Sequence, residues 1–396
     1  MPPFQFTFSD SLRPMPTVSF FLSTTGQPID EHHPLWHRPL PDNRLPGTIT
    51  PGAVDTEAVT YGSYFSAVSQ FCAAAGWDRV LKAASRKLEQ SVVEKDLARL
   101  SIFLEKHGAF YHPARLQVAV KDQTLSFVVN VAASSHGRRA LPCEVKALER
   151  LNDQRPFGWF PKVYACASVE LPMFLGDWFD GFHEFHLTRR PGSDEPAIVV
   201  WDGAADPCLL SEGQMMDLYR EAAMILTACY DPITTCQIFP WHHAAGDFVV
   251  KIEEKRASVR LITVRDYAPM VGPTQEPADE GALLDALVLF FIHLTIRMRL
   301  DRLDGVGAVV WAPACSVDPV VDGFFQGLDL TARMSGFPAA FPEIFRRYFN
   351  HHATVDLLTM AHHITKTVFN NHTEERRVAD RHLNDHIHGL CRTMAG

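Results

Sequence analysis

The segment ARLQVAVKDQTLSFVVNVA, residues 114–132, constrains the fold more than any other part of the chain. Apolar and polar residues alternate on both sides of Lys121, Asp122 and Gln123, and a period of two is that of a half-buried strand. Two such runs around a short polar turn predict a β-hairpin.

The flanking elements follow from period and punctuation. Residues 64–107 read as helical, with SVVEKDLARLSIFLEKHG ending on Gly108 as a C-terminal cap. After SSHGRR, the segment LPCEVKALERLN is a helix with Pro142 near its first turn. FPKVYACASV and PMFLGDWFDGFHEF read as strands with aromatic-rich ends. Polar loop material follows, then the helix SEGQMMDLYREAAMILTACYD. PWHHAAGDFVVKIEEKRASVRLITVRDY gives loop, strand, charged turn and strand. Everything beyond about Gly281 reads as helix, with segments at 282–302, 319–334, 342–348 and 353–391. The proline-rich stretch to about residue 55 predicts a short strand near 17–23 and otherwise extended chain. Strands with one helix come first, then helices carrying an embedded hairpin, which argues for α+β over a doubly wound parallel sheet. Three segments are expected: a proline-rich extension over 1–63, a helical lead-in with β-rich lobe over 64–187, and a mainly helical lobe over 188–396.

Composition narrows the function classes. Hydrophobic residues make up 46% and charged residues 21% of 396, an ordinary globular balance. A net charge of −9 without a basic stripe excludes nucleic acid and anionic membrane as leading partners. Eight cysteines at irregular spacing, none in a C-x-x-C pair, predict free thiols in a reducing compartment. The N-terminus lacks a basic region followed by an apolar core, and the apolar run ALVLFFIHLTI is too short to span a bilayer. A cytoplasmic protein with no membrane partner is expected.

The hairpin FVVNVA, the helix CEVKALERL, the strands FPKVYA and MFLGDWFDGF, the loop PWHHAAGDFVV and the strand VRLITVRDY stand in a telling order. That order resembles the protein-kinase-like superfamily, in particular its aminoglycoside phosphotransferase and choline kinase branch, over roughly residues 110–330. The resemblance implies a bilobal fold, with a small β-rich N-terminal lobe and a larger, mainly helical C-terminal lobe. It also implies ATP and Mg²⁺ as cofactors, and a small-molecule substrate or nucleotide as partner. Phosphoryl transfer needs cations on the phosphates, oxygen ligands for Mg²⁺ and a group that orients the acceptor hydroxyl. On the matching positions, Asp247 and Asp266 are the metal ligands, and Glu144 is the helix glutamate. Asp177 lies in the aromatic stretch GDWFDGFHEFHL, the hinge of the resemblance, whose rings suit either stacking on a nucleotide base or packing in the core.

Several positions depart from the family pattern. Asn130 falls where the phosphate-pairing lysine belongs, and Lys121 sits in the predicted turn. His242 falls where the acceptor-orienting aspartate belongs, and Thr263 competes with Asp266 for the metal-aspartate position. KHGAFYHPAR, before the hairpin, has a single glycine where a glycine-rich phosphate loop is expected. Three readings stay open: a phosphotransferase with a rearranged site, a kinase-like protein that has lost the reaction and binds a ligand or partner, and a metal-dependent enzyme built on His242, His243 and Asp247. Each candidate also has a plain structural reading. Asp247 after Gly246 is a turn residue, Asp266 beside Arg265 a surface ion pair, Glu144 near a helix start a dipole partner. The histidines at 351, 352, 362, 363, 372, 382, 386 and 388 are expected mostly as exposed helix residues.

Overall fold

A computed structural model describes residues 15–23, 25–41, 59–108, 110–167, 170–201, 207–242, 246–269, 279–369 and 373–396. The protein is α+β, with eight α-helices among the described residues. It divides into two compact units, discontinuous in sequence: residues up to Leu141 with Val163–Phe179, and Pro142–Lys162 with Asp180–Gly396.

The first unit is a seven-stranded sheet in the order β2-β1-β3-β4-β5-β7-β6. Its strands are β1 (Thr17–Leu22), β2 (Pro28–Ile29), β3 (Leu97–Leu104), β4 (His112–Val120), β5 (Gln123–Val131), β6 (Val163–Ala167) and β7 (Met173–Asp177). The expected hairpin is β4–β5, paired from His112↔Val131 to Val120↔Gln123, with Lys121 at φ 51° in its turn. Every second residue of β4 is buried, so a one-residue slip in register would expose the whole apolar set. The buried face of Leu100, Ile102, Leu116, Val118, Phe127 and Val129 packs on helix α1 (Tyr61–Leu88).

LARLSIFL, expected as the end of a long helix, is instead the strand β3. It is flanked by β1 in parallel register and β4 in antiparallel register, so both rows of its backbone groups are paired. Leu100, Ile102 and Leu104 alternate toward α1, and the ladders on both sides outweigh an apolar spacing that also suits a helix. The helix itself is interrupted where Ala75, Gly76 and Trp77 take positive φ, which turns Trp77 into the core at 4% exposure.

Helix α2 (Ser135–Gln154) begins seven residues before Pro142, so that proline lies inside the helix and not in its first turn. At residue 142 it removes one N–H from the helical ladder.

The second unit holds helices α3 (Glu212–Ala228), α4 (Glu280–Arg297), α5 (Val317–Ser335), α6 (Phe341–His351), α7 (Thr354–Val368) and α8 (Glu374–Ala395). The apolar run ALVLFFIHLTI is the buried stretch of α4, with Phe291 4.3 Å from Phe324, 5.6 Å from Phe345 and 5.4 Å from Phe349. Helices α3 and α5 pack backbone to backbone through Gly323 and Gly327. A Cβ on Gly323 would stand 2.1 Å from the Arg220 carbonyl oxygen, closer than any side chain allows.

The embedded hairpin is present as the pair β12–β13, and further short strands occur where loop or helix was expected. β8 (Glu184–Arg189), β9 (Pro196–Trp201) and β10 (Cys208–Leu209) form a three-stranded sheet. β11 (Cys236–Ile238) pairs with β14 (Tyr267–Pro269), β12 (Phe248–Glu253) with β13 (Arg256–Leu261), and β15 (Leu300–Arg302) with β16 (Val309–Trp311). All eight cysteines are unbridged. No helix among the described residues is long and apolar enough to cross a membrane.

Candidate functional site

The loop that follows β11 is held between two strand pairs. Phe239 donates its N–H to the Asp266 carbonyl at 3.2 Å, continuing the β11–β14 pairing. At the other end, Ile262 donates to the Asp247 carbonyl at 2.7 Å, continuing the β12–β13 ladder. The Asp247 backbone is thereby fixed to the β12–β13 ladder.

The Asp247 carboxylate is 1% exposed, and three donors converge on it. Arg265 grips it with both terminal nitrogens, Nη1 on Oδ2 at 2.6 Å and Nη2 on Oδ1. The backbone N–H of His242 donates to Oδ2 at 2.8 Å. Such a fork on a carboxylate is the geometry a guanidinium satisfies best. Arg265 also donates to the Pro240 carbonyl at 3.3 Å, so one side chain ties both ends of the loop. A second arginine, Arg297 of α4, donates to the Trp241 carbonyl through Nε at 3.1 Å and Nη2 at 2.6 Å. Its guanidinium lies 5.5 Å from the Phe239 and Trp241 ring centres and 5.4 Å from that of Phe369. Burial lowers the pKa of Arg297, while Glu375 and Asp247 pull it back up. Beneath Phe239, burial and then Arg297 hold His293 well below the usual histidine range, so that imidazole is neutral.

The expected ligands therefore differ in kind. Asp247 is closed over by an arginine in a buried ion pair. Asp266 is exposed, and its Oδ1 accepts the N–H of Tyr267 at 2.8 Å. Arg265 turns to Asp247 and not to its sequence neighbour. A magnesium ion needs open carboxylate oxygens, and the donor set as it stands does not fit one. Among the described residues no group of three His, Cys, Asp or Glu side chains is arranged to hold a metal. His242 is partly buried and meets Asp247 through its backbone, while His243 lies outside the described residues.

Glu144 is fully buried on α2, and its Oε1 accepts the N–H of Val264 at 3.0 Å. The glutamate thus fixes the helix to the segment that carries Thr263 and Arg265, a stronger constraint than a helix-dipole contact.

In the first unit, Asn130 and Asp177 do not converge. Asp177 pairs with Phe127 and so shares the α1 face, where it accepts the Tyr164 hydroxyl at 2.7 Å and raises that phenol's pKa in concert with burial. Asn130, three residues on from Phe127, points to the opposite face at 8% exposure, across from Phe174. Lys121 stands beyond the end of β4, 3.9 Å from Asp96. Between β3 and β4, where the sequence lacks the family's glycine-rich phosphate loop, Gly108 and Phe110 are held by hydrogen bonds. Gly108 donates to Tyr111 O at 3.0 Å, and the Ser134 hydroxyl donates to the Phe110 carbonyl at 3.2 Å. A Cβ on Gly137 would meet that same carbonyl at 2.0 Å, so the start of α2 sits directly on the turn.

Arg265 and Arg297 are the residues sequence reasoning missed. The signal available was that an aspartate leading into an apolar strand needs a cation once buried, and Arg265 lies just beyond the paired strand. A cavity of about 400 Å³ beside Arg155, Asp231 and Tyr267 contains none of the expected site residues. Compared with known proteins, the chain matches no family model and no curated sequence.

Proposed function

We propose that this chain is a kinase-like protein that does not transfer phosphate and acts by binding a ligand or partner. The order of parts supports the kinase-like half of this reading: hairpin β4–β5, helix α2 with a buried glutamate, strands β6 and β7, helix α3, loop, and strand pair β12–β13. The observation that carries the non-catalytic half is the hairpin itself. β5 reads QTLSFVVNV and contains no lysine or arginine; Lys121 is in the turn beside Asp96, and Lys87 of α1 meets the strand at the Ser126 carbonyl, 2.8 Å away, and the Phe127 ring, on the α1 face. Without a cation in that strand, the phosphates of a nucleotide lose the charge that positions them for transfer.

The test is ATP turnover with Mg²⁺ or Mn²⁺, measured beside an Asp247→Ala control. The expected result is no release of ADP above the control. Turnover that the Asp247→Ala change abolishes overturns the reading and returns the chain to the phosphotransferases.

A further inference from the structure

We infer that Arg265 stands in for the divalent cation at Asp247, tying that carboxylate to the Pro240 carbonyl with neither metal nor nucleotide. The inference takes from the kinase-like reading only the expectation that a metal ion belongs at that carboxylate.

Three observations converge on it. The guanidinium neutralises a carboxylate that is 1% exposed and occupies both of its oxygens. The same side chain reaches the Pro240 carbonyl, doing for the loop what a bridging ion does when it gathers oxygens from separate residues. And a second guanidinium stands on the same stretch of chain: Arg297 holds the Trp241 carbonyl, one residue from the His242 N–H that bonds Asp247. A further carboxylate, Glu375, acts on Arg297. A divalent ion approaching Asp247 must displace Arg265 from both carboxylate oxygens. Asp266, exposed and bonded to its own strand, brings no second carboxylate.

Titration of Mn²⁺ into the full chain, followed by calorimetry and by the thermal midpoint, tests this. The wild-type chain is expected to bind no Mn²⁺ at Asp247, and its midpoint to be the same in EDTA and in millimolar Mn²⁺. Arg265→Ala is expected to melt lower, to bind one Mn²⁺ and to recover part of its midpoint with the ion. Combining Arg265→Ala with Asp247→Asn is expected to remove that response. Arg265→Gln, closer in size, serves if the alanine variant does not fold. Wild-type Mn²⁺ binding that Asp247→Asn abolishes overturns the inference, as does a folded Arg265 variant indifferent to Mn²⁺. ATP turnover by a chain that binds no Mn²⁺ at Asp247 would instead remove the non-catalytic reading and leave the role of Arg265 standing.

Discussion

Arg265 and Arg299 both carry a guanidinium away from water, and their surroundings neutralise it by different means. Arg265 meets the Asp247 carboxylate directly. Arg299, 8% exposed, meets only neutral acceptors: Nε and Nη2 donate to the Ala312 carbonyl at 2.9 and 2.6 Å, and Nη1 lies 3.4 Å from His386 Nδ1. The Trp311 ring lies under it at 4.8 Å. A carboxylate stands two residues away, yet Asp301 accepts the backbone N–H groups of Leu187 at 2.5 Å and Arg302 at 2.6 Å. Burial accordingly pulls Arg299 down to about 10, only partly offset by Tyr219 and Cys315. Proximity in sequence therefore does not choose ion-pair partners: Asp301 is taken by two backbone N–H groups, while Asp247, with one, has both oxygens held by Arg265.

The largest expected effect comes from removing the arginine of the charged pair. Arg265→Met leaves a carboxylate that is 1% exposed with the His242 N–H as its remaining donor from this set. The expected loss is about 3–5 kcal/mol in urea unfolding. Adding Asp247→Leu should restore most of it, because an apolar pair needs no compensation. A double variant as unstable as the single one would mean that the arginine acts through packing and not through charge.

Arg299→Met should cost less, about 2 kcal/mol, because it leaves one neutral acceptor, the Ala312 carbonyl, unsatisfied at about 1–3 kcal/mol, while the 3.4 Å contact to His386 Nδ1 is long and adds little. The same urea titration ranks the two variants. If Arg299→Met proves the more damaging, cation–π contact with Trp311 and the ring stacking of His382 on Trp311 at 5.5 Å carry more than the hydrogen bonds.

What the sequence made legible divides along the same line. The β4–β5 hairpin was readable because alternation is local and one face is buried. The strand β3 was not, since LARLSIFL fits two periods and only its neighbours β1 and β4 decide between them. Asp247 and Glu144 could be singled out from element order, but their partners could not. Arg265 is 18 residues from Asp247, and Val264 is 120 from Glu144. Of the C-terminal histidines, expected mostly as exposed, His351, His362, His363 and His388 are exposed, but His386 is 1% exposed. Its donors and acceptors come from α4 and the turn beyond it, which no spacing within α8 reveals.

That histidine supplies the smallest effect and the sharpest use of the comparison. Arg299 can only donate, so His386 Nδ1 must accept and the ring proton sits on Nε2. Nε2 then donates to Thr295 Oγ1 at 3.0 Å, and Thr295 passes its own proton to the Ile292 carbonyl at 2.9 Å. Protonating Nδ1 would break the Arg299 contact and set two cations together. Burial, followed by Arg299, accordingly lowers His386 to about 3. The unfolded chain takes up this proton near pH 6.5 and the folded chain refuses it, so stability is complete above about pH 6.5 and falls as pH drops toward 3. The loss from this one residue is about 1.4 kcal/mol per pH unit, or about 2 kcal/mol by about pH 5. His293, also lowered by burial, adds loss of the same sign. His386→Gln can accept from Arg299 and donate to Thr295 without titrating. Its urea midpoints between about pH 7 and about pH 5 should therefore fall less steeply, by that same increment per unit. An unchanged slope would mean that His386 carries its proton in the folded chain, and that the neutral surroundings assigned to Arg299 are wrong.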